Sequence, residues 1–509
     1  MRPTIDNVKF AVDEHIWGHR LYDEQLPHLT VLEFLGVLGS NLDNPLVAGP
    51  EDKVKYQPQR QIRLRGLLFN NPYVDSVRDK DISDDEKWKV WKVHFAQDST
   101  KMGDEDMDYL RNVFTKFDDF AKAIELLRSS AFESRSNKRW SSKFVFPFGP
   151  DALFEDLRVD LDGAVPSNDR RFFARTGELL YLMLSRAKRG EELGKILVKR
   201  LFNRSLPMNR LVRALQGPVQ PAPNSRFLGY LPYVRHPRFD LLCEDWLEIL
   251  SRDMPIYDAL DHLITSAGLN LLLYFLECAK SASCEVEPVE FICEIVSKER
   301  TKLRALSGDS YQSNQALSQK AIKVSVESIK LTGEWASALK SDYPDAECAK
   351  LMRAWFQWPS ADGDDDGEGG GKSGNELVKQ LAEKAEKRHD DHVGKIHSAW
   401  AKSIGLSSRR LSRRMRYAPN DRLLKTIVVT LVKDRMQFDK FLHVLKERYG
   451  LVIGDAEGAR LVLDKKVDQE ALSENQSNLE SRLVGLGLLL KLSDSCSFVE
   501  NPFGTRGEE

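Results

Sequence analysis

The 509-residue chain carries 75 Lys+Arg against 77 Asp+Glu, a formal net charge of −2, and is 41% hydrophobic, the composition of an ordinary globular protein. No global basic field is available for nucleic acid, so any such affinity must be local, and one core cannot organise a chain this long. The six cysteines form no C-x-x-C pair, which excludes a disulfide frame or zinc knuckle and predicts a reducing, cytoplasmic setting. The start, Met1 to Asp6, lacks a leader-like apolar run, and the longest such run, Leu269 to Leu276, is far shorter than the roughly 20 residues that span a bilayer, so no membrane partner is expected.

The expected architecture is mainly α: a multidomain helical body with short β elements and a C-terminal winged-helix-like module. Residues 1–155 form its first domain, α-rich with short strands. His15 and His19 stand four apart, a metal-ligand spacing, but Gly18 weakens the helix that would hold them and no third ligand follows; a packed polar entry is expected. Behind Pro27, Leu29, Leu32, Leu35 and Leu38 give a helix one apolar side. Gln61-Ile62-Arg63-Leu64-Arg65 alternates like a short strand. Ser83-Asp84-Asp85-Glu86 is a capping box before Trp88, Trp91 and Phe95, which favours an amphipathic helix over a basic and aromatic single-strand surface at Lys87 to Val90. Asp108 to Phe132 reads as one helix, with Leu110, Phe117, Phe120, Ile124 and Leu127 on a stripe. The aromatic run Phe144 to Pro150 pins an element to the core.

Residues 156–358 are a helical domain, with a long polar-faced helix over about Gln312 to Leu339. Within it, Arg200 to Arg238 scatters arginines among Tyr230, Tyr233 and His236, either as a connector paired with acidic surface or as a single-strand contact. Residues 359–374 are an acidic, Gly-rich flexible linker. Gly371-Lys372-Ser373 is no phosphate loop, because Asp366 stands where the first glycine is required. Residues 375–419 hold one long helix to Ile404, where His389 and His392 stand one turn apart and could chelate a metal but are expected on a solvated face, and then an Arg-rich segment.

Between Lys402 and Arg448 there are 13 Lys/Arg against four Asp/Glu. If the segment is helical, Arg409, Arg413 and Arg416 share a face with Arg410 and Arg414 alongside, a density suited to gripping phosphate oxygens. Over residues 420–503 come helices at Asp421 to Lys433, Phe438 to Tyr449 and Asn475 to Leu486, then a hairpin through Ser493-Asp494-Ser495. This order resembles a winged-helix domain. The resemblance implies a third helix in the major groove and a wing on the backbone. Here that helix offers only Arg482 among Asn475, Gln476, Ser477, Asn478 and Glu480, which favours phosphate contact without base choice, or protein docking.

Glu14-His15-Ile16-Trp17-Gly18-His19-Arg20, Phe144-Val145-Phe146-Pro147-Phe148-Gly149-Pro150 and Ser493 to Phe503 resemble signatures of uncharacterised subunits of bacterial anti-phage or DNA-modification operons. The resemblance implies a non-catalytic component beside separate ATPase or nuclease subunits and transfers no site residue. The resulting expectation is a DNA-associated adaptor or scaffold that contacts phosphates through Arg409, Arg410, Arg413, Arg414, Arg416 and Arg482 and binds other protein subunits, with no cofactor, resident metal or catalytic residue assigned. Two alternatives stand beside it. One is a metal-dependent nuclease whose ligands, for example His15, His19, Asp23 and Glu24, meet only in the fold; the other is a scaffold whose arginines dock an acidic partner.

Overall fold

The computed structural model describes residues 5–47, 54–56, 63–98, 107–132, 144–153, 157–158, 167–168, 175–217, 226–227, 231, 233–296, 303–359, 373–409, 414–493 and 496–505. Helices dominate, with a few short strands. The chain divides into two compact units, one made of Met1–His28, Arg186–Arg189 and Gly229–Glu509, the other of Leu29–Ser185 and Gly190–Leu228.

The first unit includes the helices α1 (Ile5–Trp17), α2 (Pro237–Ser251), α3 (Ile256–Ala282), α4 (Leu303–Ser328), α5 (Gly374–Arg388), α6 (Gly394–Ser403), α7 (Asp421–Leu431), α8 (Phe438–Tyr449) and α9 (Gln469–Gly485), with further helices at Gly333–Leu339, Pro344–Phe356 and Ala459–Leu463. The strands are β1 (Phe291–Ile292), β2 (Ser407–Ser408), β3 (Arg416–Tyr417), β4 (Arg435–Gln437), β5 (Leu451–Val452), β6 (Leu489–Ser493) and β7 (Cys496–Glu500).

The apolar run Leu269 to Leu276 lies within α3, which is buried on every side for most of its length. Length and composition alone would let this helix cross a membrane, but 89% of its most apolar window is buried in the fold, as in a core helix. Gly268 permits the close packing: a Cβ there would lie 2.4 Å from the Ile404 side chain and 2.7 Å from Pro27. Helix α1 docks through Trp17, whose Nε1 donates to the Phe275 carbonyl at 3.0 Å. Helices α5 and α6 run on through one π turn, His389–Val393, so the expected single helix is broken by one widened turn. Its start is fixed by a capping box between Ser373 and Glu376.

The last part of this unit lies against the helices before it. Strands β4, β7 and β6 form an antiparallel sheet in the order β4-β7-β6. Strand β5 leaves α8 at Gly450, a left-handed position with φ +67, and pairs in parallel with β1, Leu451 opposite Phe291. Asp245, fully buried on α2, accepts from Asn270 of α3 and from Arg448 and Tyr449 of α8 at 2.8–2.9 Å. Residues 375–503 thus share a core with α1 to α4.

The second unit has its own aromatic core of Trp88, Trp91, Phe117 and Phe120, all buried. Ser83 and Glu86 form the expected capping interaction before Trp88. Burial of both tryptophans removes them from any single-strand surface. Two expectations are corrected in this unit. Arg63–Phe69 is a helix, since Leu64, Leu67 and Leu68 are buried at helical spacing and outweigh the short alternation. The helix expected over Asp108 to Phe132 is two, Asp108–Val113 and Phe117–Ser129: Phe114 is extended, and the Asp84 carboxylate caps the second by accepting from the Phe117 N–H at 2.8 Å. Gly149, at φ +75, closes the aromatic run where a Cβ would press on Asn209. The linker expected at 359–374 falls almost wholly outside the described residues, as do residues 218–225 and Tyr230 of the second basic region.

Candidate functional site

The described ends of the arginine segment, Arg409 and Arg414 to Tyr417, are not helical. Ser407–Ser408 and Arg416–Tyr417 pair antiparallel as the arms of a hairpin. The physical cause is Gly405, at φ +78, which ends α6 after Ile404 and turns the chain back along Ala418 and Asn420. Arg409 and Arg416 therefore share no helical face. The guanidinium of Arg416 is buried and ion-paired with the buried carboxylate of Glu294. That pair is a structural clamp, out of reach of a polyanion. Arg414 is exposed and bridges Asp309 and Gln312 of α4. Arg409 is exposed at the end of the first arm. Arg410 and Arg413 lie outside the described residues. Arg482 of α9 pairs with Asp421 at 2.7 Å and donates to the Pro419 carbonyl. Three of the four described cations among these six therefore already have carboxylate partners within the chain.

Beneath the hairpin lies a buried polar network. The Tyr417 hydroxyl meets the Asn314 amide at 3.0 Å and His397 Nε2 at 2.7 Å, and its carbonyl accepts from Ser307 and from the Glu294 N–H. Burial lowers the His397 pKa to about 3 and raises that of Tyr417 well above the ordinary phenol range. Both are neutral at ordinary pH, so this cluster positions the hairpin and holds Glu294 opposite Arg416.

The residues considered for metal binding are separated by the fold. His15 is exposed on α1, whereas His19 is buried just beyond it. Asp23 turns to His392 of the π turn at 3.0 Å, and His389 meets Ser318 at 3.1 Å. Just before these two histidines in sequence, the buried Arg388 pairs with Asp13 and lies over the Tyr22 ring at 4.0 Å. Asp13 is pushed up to about 7 by burial, against the pull of Arg388. Among the described residues no group of three or more His, Cys, Asp or Glu is placed to hold a metal ion.

On the terminal sheet module, α9 directs Leu472, Asn475, Leu479 and Leu483 inward. Asn475, expected on the presented face of this helix, is instead fully buried: it donates to the Cys293 and Ile453 carbonyls and accepts from the Ile295 N–H. Its place in the 472, 475, 479 spacing was the available signal. The outward side of α9 carries the exposed Glu470 and Glu474, and the adjoining hairpin exposes Leu490 and Leu492 at 45% and 60%.

No curated protein and no solved structure matches the chain. Residues 381–499, from the second half of α5 through the hairpin and the sheet module, match the family model described as Methylation-associated defense system protein MAD7, a similarity that points to a defence-system component.

Proposed function

We propose that the chain is a scaffold subunit of a bacterial anti-phage system and that its C-terminal part is a winged-helix module used to dock another protein subunit. The succession α7, β4, α8, α9, β6, β7 and the sheet order β4-β7-β6 support the winged-helix reading, with β5 and the short helix Ala459–Leu463 inserted between α8 and α9. One observation carries the docking reading: where phosphate binding needs cations, the outward side of α9 offers Glu470 and Glu474, and the hairpin offers exposed leucines. A tagged chain recovered from cells that carry its neighbouring genes retains their products in fixed stoichiometry, and L490K/L492K abolishes both this retention and phage protection while leaving the melting temperature unchanged. Recovery of the chain alone, with protection intact in the double variant, overturns the reading.

A second reading is favoured by one feature of the arginine hairpin. The connection between its arms holds Arg409, Arg410, Arg413 and Arg414, and Arg409 is exposed. Phosphate contact from this tip, without base choice, is compatible with docking elsewhere on the same unit.

A further inference from the structure

A polar pocket of about 230 Å³ opens on the terminal module between the start of α8, the face of α9 and strand β7. Among the described residues its lining includes three carboxylates, Asp439, Asp455 and Glu480, with no Lys, Arg or His. Asp439 accepts from the Gln476 amide at 3.4 Å, and Asp455 accepts from the Ser473 hydroxyl at 3.3 Å and from the Ala456 N–H at 2.8 Å. Neither is ion-paired to a described residue; Glu480 alone meets a cation, Lys491 at 3.5 Å.

One group in the pocket and one behind its wall are left open. Ser497, on the inner face of β7 and only 8% exposed, lines it without a side-chain partner among the described residues. Behind the lining, Glu457 is 7% exposed and its Oε2 has no hydrogen-bond partner among the described residues. That oxygen and the Gln476 amide oxygen of the pocket wall both lie within 2.7 Å of the point where a Gly454 Cβ would stand. A buried acceptor left open, as Glu457 Oε2 is, is rare in folded proteins and calls for a donor.

We infer that this pocket receives an arginine side chain from a basic segment of a partner protein. A guanidinium brings five N–H donors in a planar fork and no acceptor, which matches a wall of carboxylates, amide oxygens and hydroxyls. Phe438 adds an aromatic surface for its planar face. The volume is below the usual range for small-molecule sites and suits one inserted side chain. The inference rests on the docking reading of the module and names the chemistry of what docks there.

The test uses the full chain and N-acetyl-arginine amide as probe, followed through the backbone amide signals of Gln437, Asp439, Ser473, Ser477 and Ser497. Saturable shifts with a dissociation constant on the order of a millimolar are expected for so small a ligand. They are absent with the neutral isostere N-acetyl-citrulline amide and weakened at least about ten-fold in D439N/D455N. The substitution S477W, which fills the pocket from α9, abolishes them even if the double variant is poorly folded. Equal shifts with citrulline, no saturation, or unchanged affinity in S477W overturns the inference. Binding of spermidine with none of the arginine amide overturns the protein-segment assignment. Failure of subunit retention with arginine binding intact removes the scaffold proposal and leaves the pocket, so the two are separable.

Discussion

Arg416 and Arg409 are seven residues apart and were equivalent by composition, yet the fold gives them opposite roles. A buried guanidinium has lost its water and is stable only because Glu294 faces it; removing it leaves a desolvated carboxylate unpaired. R416A is expected to cost about 3–5 kcal/mol in urea unfolding, whereas R409A stays within about 0.5 kcal/mol. Equal costs would mean that the clamp does not hold the hairpin. None of this was legible in the sequence, because Glu294 lies 122 positions from Arg416. Local charge counting registers density but not which cations a distant acid will neutralise.

At the scale of elements, the long amphipathic helices and the terminal hairpin were readable because their apolar spacing is itself the cause of their burial. Phe438, Phe441, Leu442, Leu445 and Tyr449 mark α8 and are all buried. The errors fell where local preference was weak. Arg409 to Arg416 has good helix formers, but Gly405 ends the helix before them and Tyr417 is drawn into the core network, so Ser407–Ser408 and Arg416–Tyr417 pair as strands. Short strand β4 was missed for a related reason: three residues carry little pattern, and pairing with β7 defines them. The proposed phosphate contact rests on Arg409 and its sequence neighbours Arg410 and Arg413. With R409A/R410A/R413A, DNA retention is expected to fall and its dependence on salt to flatten, since each lost phosphate contact releases fewer counterions. Identical salt curves for the parent and the triple variant would remove the tip from nucleic-acid binding.

For the molecule as a whole, the sequence suggested beads in order along the chain, and the fold instead builds one unit from its beginning and its second half. Helix order was legible, but which helices share a core was not, since that depends on matches between distant residues. The candidate pocket escaped notice for the same reason: Asp439, Asp455 and Ser497 meet only after the sheet closes.

The parallel pairing of β1 with β5 joins two halves that the acidic stretch after Pro359 connects in sequence. Asp13 with Arg388, and Trp400 Nε1 with the Gln25 carbonyl at 3.1 Å, fasten the same halves elsewhere. A protease site inserted between Pro359 and Ser373 should therefore yield a split protein that elutes as a single particle under native conditions and runs as two bands after denaturation. Fragments that drift apart on the column would show that the peptide bond, and not the shared interior, keeps them together.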